Sequence, residues 1–210
     1  MDLEGKALRD YMESLLPERD ELLKEMESVA QEEGIPIVGP HVGSLLMILA
    51  SASGARRAVE LGTAIGYSAI WLARGMGAGG RLVTIEMREE MARRAGRSIE
   101  RAGLQDSVEI LVGKALELLP TLGDGFDLVF NDINKEDYPA VLPLCKEALR
   151  SGGLLLTDNV LWGGRVVSKE DVSPSTEAIR EYNRVLAEDE EWTTVILPIR
   201  DGVSISVKRV

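Results

Sequence analysis

The chain has 210 residues, of which 45% are apolar and 28% charged, a composition typical of one folded domain of medium size. Its formal net charge of −11 makes a nucleic-acid partner unlikely on physical grounds, because binding to phosphates depends on clustered Lys and Arg. Cys145 is the only cysteine, which excludes an intramolecular disulfide and leads us to expect a reducing, cytoplasmic location.

The beginning of the chain predicts helices. Apolar residues recur at helical spacing over residues 7–33, and Pro17 indicates a break or a second helix start. Residues 34–40 are predicted to form a loop and residues 42–52 another helix. The first residues lack the order of a signal peptide, and no apolar stretch is long enough to span a membrane. We expect a single domain in which residues 1–52 form a helical extension to a core over residues 53–210.

From residue 58 onward, short apolar runs alternate with helical patterns. The predicted strands are residues 58–61, 81–86, 108–112, 126–131 and 154–157. The predicted helices between them are residues 67–74, 88–102, 115–119 and 138–149. This alternation predicts an α/β fold with a mostly parallel sheet and helices on both faces. A helix over residues 175–188 and a hairpin of residues 192–197 and 203–207 complete seven strands, one of them antiparallel.

Polar residues follow two of the predicted strands. Asp132 follows the strand over residues 126–131, and Asp158 and Asn159 follow the strand over residues 154–157. A strand–helix–strand unit returns parallel, so these side chains should meet at the carboxyl edge of the sheet. Two carboxylates and an amide oxygen suit a hard divalent cation. Helix capping by the two aspartates and an ordinary turn at Asn159 are the alternatives.

A glycine loop follows the first predicted strand and contains Gly62 and Gly66. Their spacing differs from Gly-x-Gly-x-x-Gly, which disfavours an NAD-dependent oxidoreductase. Glu86 ends the next strand, where a carboxylate can accept both hydroxyls of a ribose. The alternative for Glu86 is an N-cap of the following helix. Together the loop and the acid predict a nucleoside site.

Five motifs combine these features: Glu60–Gly62 with Gly66–Ser68, Phe130-x-Asp-x-x-Lys135, Thr157–Asn159, Leu161–Gly164 and Leu197–Gly202. Together they resemble the cation-dependent class I S-adenosylmethionine O-methyltransferases, which include catechol and caffeoyl-CoA O-methyltransferases. The resemblance covers residues 35–209. It implies a Rossmann-like class I methyltransferase fold, S-adenosylmethionine (SAM) as methyl donor, a divalent cation with Mg²⁺ foremost, a small catechol-like or phenolic acceptor, and a homodimer.

The resemblance also implies roles for single residues. The implied SAM-binding residues are Val42, Glu60, Gly62, Ser68, Glu86, Ala115 and Asp132. The implied metal ligands are Asp132, Asp158 and Asn159, with Lys135 as the catalytic lysine and Asn183 near the metal. This set is chemically coherent, because a catechol hydroxyl needs a cation or a base to lose its proton near neutral pH. The alternative for Lys135 is a solvated surface lysine.

Two further residues are candidates for the acceptor side. Trp162 follows the metal segment and could form an aromatic wall for a planar acceptor, or pack beneath a loop. His41 is the sole histidine and precedes the predicted helix over residues 42–52. It could border the acceptor pocket, or be a hydrogen-bonded loop histidine.

The segment over residues 130–135 departs from the family pattern. The common segment resembles Phe-Ile-Asp-Ala-Asp-Lys, whereas this chain has Phe-Asn-Asp-Ile-Asn-Lys. Asn131 could therefore compete with Asp132 for the ligand role, although alignment on Phe130 and Lys135 favours Asp132. Two alternative functions stay open: methylation of a hydroxylated uridine in tRNA, as in some bacterial relatives, and SAM binding without the metal.

Overall fold

The structure of the chain is a computed structural model that describes residues 6–209. The helices are α1 (Lys6–Ser14), α2 (Glu21–Glu33), α3 (Gly39–Ala52), α4 (Tyr67–Met76), α5 (Glu89–Arg101), α6 (Ala115–Leu118), α7 (Tyr138–Ala148) and α8 (Pro174–Glu188). The strands are β1 (Arg57–Leu61), β2 (Arg81–Glu86), β3 (Val108–Val112), β4 (Phe126–Asn131), β5 (Leu149–Thr157), β6 (Trp192–Leu197) and β7 (Val203–Lys208). Short 3₁₀ turns cover Leu119–Leu122, Lys135–Asp137 and Trp162–Val167. None of the described helices has the length and apolar character needed to cross a membrane.

The seven strands form one sheet in the order β3-β2-β1-β4-β5-β7-β6. Strands β1 to β5 are parallel, and β7 runs antiparallel to both of its neighbours, β5 and β6. This is the predicted Rossmann-like sheet with one antiparallel strand. The direction of winding reverses between β1 and β4, and the crevice outside the carboxyl ends of such strands is where open α/β sheets bind ligands.

Apolar side chains cover both faces of the sheet. Successive residues of a strand point to opposite faces, so Phe130 of β4 lies in one apolar cluster and Val129 in the other. Helix α3 buries Val42 in the same cluster as Phe130. It approaches α4 closely, because a Cβ atom added at Gly43 would lie 2.5 Å from Nε1 of Trp71. The segment before β1 therefore forms part of the packed interior.

Two predicted boundaries are wrong. Helix α3 begins at Gly39, so residues 39–41 are helical although a loop was predicted. The fixed φ of Pro40 suits the first turn of a helix, where its missing N–H costs no hydrogen bond. Strand β5 begins at Leu149, five residues before its predicted start. Its glycines weaken the apolar pattern there, and a register shift against β4 accommodates them.

Asn131 ends β4 at a fully buried position between Leu61 of β1 and Thr157 of β5. Neither amide atom of its side chain has a hydrogen-bond partner among the described residues. A buried amide without a partner destabilises the folded state by about 1–3 kcal/mol.

We therefore expect Asn131→Val to raise the melting temperature, by about 4–8 °C if about 2 kcal/mol is recovered. Thermal unfolding followed by circular dichroism measures this shift. Asn134→Val is the matched control, because Asn134 is exposed and its replacement recovers no buried amide. A melting temperature of Asn131→Val at or below that of the original chain would contradict the expectation.

Candidate active site

A cleft of about 1190 Å³ lies at the carboxyl edge of the parallel strands. The residues that follow or end β1, β2, β4 and β5 all contribute to its wall, which is the convergence expected of parallel strands. Eight of the predicted site residues line it: Gly62, Glu86, Ala115, Asp132, Lys135, Asp158, Asn159 and Trp162.

Five predicted residues do not line the cleft: His41, Val42, Glu60, Ser68 and Asn183. Val42 is fully buried, and Glu60 and Ser68 are buried as well. His41 lies in the first turn of α3, so its prediction as a hydrogen-bonded loop histidine is wrong. Its Nε2 atom is buried and has no partner within residues 6–209.

Gly62 allows the loops after β1 and β4 to meet. Its φ is +96°, and an added Cβ would lie 2.4 Å from the carbonyl oxygen of Asp132. The Asp132 amide donates to the carbonyl of Leu61 at 2.8 Å. A side chain at position 62 would therefore separate the two strand ends.

Glu86 connects the glycine loop to the end of β2. Its carboxylate accepts the amide of Ala64 at 2.8 Å and the amide of Arg88 at 2.9 Å. Arg88 is itself the N-cap residue of α5, so the alternative prediction of Glu86 as N-cap is wrong. The two amides fix the carboxylate in the cleft wall, where its other lone pairs remain available to a ligand.

Glu60 is a buried acid behind the glycine loop. Thr84 donates its hydroxyl to Oε2 at 2.5 Å, whereas Oε1 has no partner in the described part of the chain. Burial raises the pKa of Glu60 to about 8, against the opposing effect of the nearby Ser68 and Thr84 hydroxyls. The protonated form is therefore favoured near neutral pH when no ligand is bound.

Asp132, Asp158 and Asn159 form an oxygen-rich corner of the cleft. Asp158 is 2% exposed, and its Oδ1 atom has no hydrogen-bond partner in residues 6–209. Burial, reinforced by the charge of Asp132, raises the pKa of Asp158 to about 7. The described residues contain no group of three or more His, Cys, Asp or Glu side chains that could together hold a metal ion. Two carboxylates and an amide fit Mg²⁺ better than Zn²⁺.

Lys135 lies beside this corner. Its Nζ donates to Oδ1 of Asp132 at 2.7 Å and to the carbonyl of Ile133 at 3.1 Å. The Lys135 side chain is only 13% exposed, so the alternative of a solvated surface lysine is wrong. Asn131 points into the interior and does not line the cleft, whereas Asp132 does. The register with Asp132 at the cleft is therefore the one that the fold adopts.

Backbone strain is concentrated at the cleft. Among residues 6–209, positive φ values outside glycine occur at Ala64, Asn159, Trp162 and Arg200. All four of these residues line the cleft. Strained backbone of this kind persists where the surrounding structure enforces it, and it is common at functional sites.

Residues 13–209 match the O-methyltransferase family. A catechol O-methyltransferase from Niastella koreensis is 34% identical to this chain over 213 aligned positions, which cover 96% of each sequence. The chain belongs to the O-methyltransferase family.

Two solved structures agree with this assignment. One is an O-methyltransferase from Bacillus cereus in complex with SAH, with a TM-score of 0.89, 33% identity and 97% of both chains covered. The other is an O-methyltransferase involved in tomaymycin synthesis in Streptomyces achromogenes, in complex with SAM, with a TM-score of 0.90, 33% identity and full coverage. This chain is a SAM-dependent O-methyltransferase.

Sequence reasoning assigned no role to the turn between β6 and β7 of this methyltransferase, although it included the motif Leu197–Gly202. In the structure, the carbonyl of Asp201 accepts the amides of Leu161 and Trp162 at 2.8 and 3.1 Å. Arg200 and Asp201 both line the cleft. Asn183, predicted near the metal, donates to the carbonyl of Val160 at 2.7 Å and supports the same segment from behind.

The ionisation of Glu60 should make the stability of the methyltransferase depend on pH. Because the folded state raises this pKa from 4.5 to about 8, it holds the proton more tightly than the unfolded chain. The resulting stabilisation is complete below pH 4.5 and is lost as the pH rises through 8. Glu60→Gln cannot ionise, so its melting temperature relative to the original chain should rise by about 8–16 °C between pH 5 and pH 8.5.

Scanning fluorimetry of the protein without SAM measures this difference. Glu109→Gln on β3 is the control, because Glu109 is exposed and its replacement should give a flat difference. A flat difference for Glu60→Gln as well would show that Glu60 is ionised in the folded protein throughout this range.

Proposed function

We propose that this methyltransferase moves the methyl group of SAM to one hydroxyl of a small catechol-like acceptor, with a divalent cation, Mg²⁺ foremost, in the site. The main support is the Asp158 carboxylate. It is almost completely buried, lies in the cleft wall with Asp132 and Asn159, and has one oxygen without a partner among the described residues. The name of the relative from Niastella koreensis supports the acceptor class.

Asp132, Asp158 and Asn159 are the residues that we propose to hold the cation. Two neighbouring carboxylates in a buried setting repel each other, and Lys135 partly balances this charge. When bound, a divalent cation would orient two vicinal oxygens and favour the deprotonated hydroxyl. Asn159, two residues after the end of β5, has a strained αL backbone conformation with φ +60°. Asparagine tolerates this conformation better than most residues.

The SAM site that we propose lies beside the oxygen-rich corner, where Gly62 and the residues that end or follow β2 and β3 line the cleft. Glu86 would accept the ribose hydroxyls, and Ala115 would line the adenine. Glu60, Ser68 and the backbone of Val42 lie behind or beside the loop and would surround the methionine moiety. SAM supplies an electrophilic methyl group, which requires the acceptor oxygen in line.

Lys135 is the proposed general base. Its Nζ lies in the cleft wall 2.7 Å from Oδ1 of Asp132, so it is positioned to take a proton from an acceptor hydroxyl held at that corner. The ring of Tyr138 lies 5.1 Å from Nζ and limits where the amine can move. Trp162 would flank a planar acceptor. The homodimer implied by the resemblance and the cytoplasmic location expected from the sequence stay predictions.

Removal of the base should slow the chemical step. We expect Lys135→Ala to lower kcat with catechol by about 10²–10⁴-fold, the range for loss of a general base. Steady-state kinetics measure the rate, and calorimetry should show unchanged SAM affinity. Lys169→Ala is the charge-matched control, because Lys169 is exposed on a neighbouring loop. A kcat of Lys135→Ala within threefold of the original would contradict the assignment.

Removal of the cation should abolish activity. We expect excess chelator to stop methylation of catechol, and added Mg²⁺ to restore it. Calorimetric titration with Mg²⁺ should detect binding to the original chain and none to Asp158→Asn, which retains the shape of the side chain and loses its charge. Asp127→Asn, at the opposite end of β4, is the control and should bind as the original does. Full activity in excess chelator would refute the metal assignment.

A further inference from the structure

Arg200 occupies a turn position that does not favour its residue type. Its φ is +51°, and the turn closes with the Gly202 amide donating to the carbonyl of Ile199 at 2.9 Å. Glycine adopts this conformation without strain, whereas an arginine there costs free energy. The backbone conformation at position 200 therefore favours glycine over the arginine that is present.

The turn is attached directly to the oxygen-rich corner. The amides of Val160 and Leu161 donate to the carbonyls of Gly202 and Asp201 at 3.0 and 2.8 Å. The side-chain amide of Asn159 lies 3.4 Å from Oδ2 of Asp201. Arg200 is thus held at a fixed position relative to the residues that are proposed to hold the cation.

Most N–H donors of the Arg200 guanidinium form no hydrogen bond to the described residues. Nη1 donates to the carbonyl of Ile37 at 2.7 Å, and the lack of a side chain at Gly39 leaves room for this contact, since a Cβ there would lie 3.3 Å from Nη1. An arginine carries five N–H donors. One is used in bonds to the described residues, and the exposed side chain lines the cleft.

The other cations of the cleft wall are already paired. Nζ of Lys135 lies 2.7 Å from a carboxylate oxygen of Asp132. Arg88 lies 3.7 Å from a carboxylate oxygen of Glu86, and Lys114 lies 3.4 Å from one of Glu117. Arg200 has no carboxylate within ion-pair distance among residues 6–209. The wall near the corner otherwise carries acidic side chains, including Glu136 and Asp137. The charge of Arg200 acts on Asp132 and Asp158 only from beyond ion-pair distance. An arginine without a direct ion pair beside the substrate site is suited to bind an anionic ligand group.

We propose that Arg200 binds a carboxylate on the acceptor, which makes the preferred substrate class an aromatic acid with two vicinal hydroxyls. This inference rests on the proposed function, which holds the hydroxyls at Asp132, Asp158 and Asn159. The acceptor then spans from that corner to Arg200, with Trp162 beside its ring.

The experiment compares 3,4-dihydroxybenzoate with its neutral methyl ester, using SAM and Mg²⁺. The original chain should prefer the acid. Arg200→Gly, which fits the turn, should lower kcat/KM for the acid by about 10–100-fold, mainly through KM, because a hydrogen-bonded charge pair is lost. The same variant should change kcat/KM for the ester by less than threefold. Arg200→Lys retains the charge but lacks the paired N–H donors of a guanidinium. Its kcat/KM for the acid should lie between the values of the original chain and of Arg200→Gly. Melting temperature and SAM affinity verify that each variant folds.

The possible outcomes are distinct. Equal use of acid and ester by the original chain overturns the inference and leaves the proposed function intact. An equal loss for both compounds in Arg200→Gly also overturns it, because Arg200 would then act through the nearby carboxylates or the loop at Ile37. If the original chain methylates neither these compounds nor catechol itself, the proposed function fails and the inference fails with it.

Discussion

The site depends on the close approach of two backbone segments at the point where the sheet reverses its winding. Gly62 and the carbonyl of Asp132 come so close that no side chain fits between them. The hydrogen bond from the Asp132 amide to Leu61 extends the β1–β4 pairing up to this contact. The glycine loop and the oxygen-rich corner therefore share one wall, and a methyl donor and an acceptor bound in the cleft would be adjacent. Parallel strand order alone creates a crevice, and this contact joins the two strand ends that form its wall.

Around that contact the protein buries acidic groups with fewer partners than they can accept. Glu60 and Asp158 each retain a carboxylate oxygen without a hydrogen bond in the described chain. Burial raises the pKa of both groups, and uncompensated polar atoms at such depth destabilise a fold. Asp158 lines the cleft, where a bound ligand could supply the missing partner, whereas Glu60 lies behind the glycine loop and does not line the cleft. The buried amide of Asn131 does not line the cleft either, which distinguishes it from Asp158.

Much of this arrangement could be predicted from the sequence, because it follows from periodicity and strand order. The alternation of apolar runs and helices predicts the parallel sheet, and polar residues directly after β4 and β5 predict their meeting at one edge. Features that depend on tertiary contacts could not be predicted. The pattern gives no sign that His41 lies inside α3, because Pro40 indicates a loop as well as a first helical turn. The burial of the Asn131 side chain could not be predicted either, since a polar residue in a strand normally indicates an exposed face.

The acceptor side of the cleft could not be predicted from the sequence either, because it is assembled from segments that are distant along the chain. The residues that are proposed to face an acceptor come from three separate segments: the end of β4, the segment after β5, and the turn before β7. The last of these reaches the site because β7 inserts antiparallel between β5 and β6, which brings its first residue beside the carboxyl end of β5. The glycine loop and the strand ends belong to the parallel part of the sheet, whereas this turn joins the two strands of the antiparallel edge. A strained arginine at its tip is therefore a place where substrate preference can be set independently of the methyl donor.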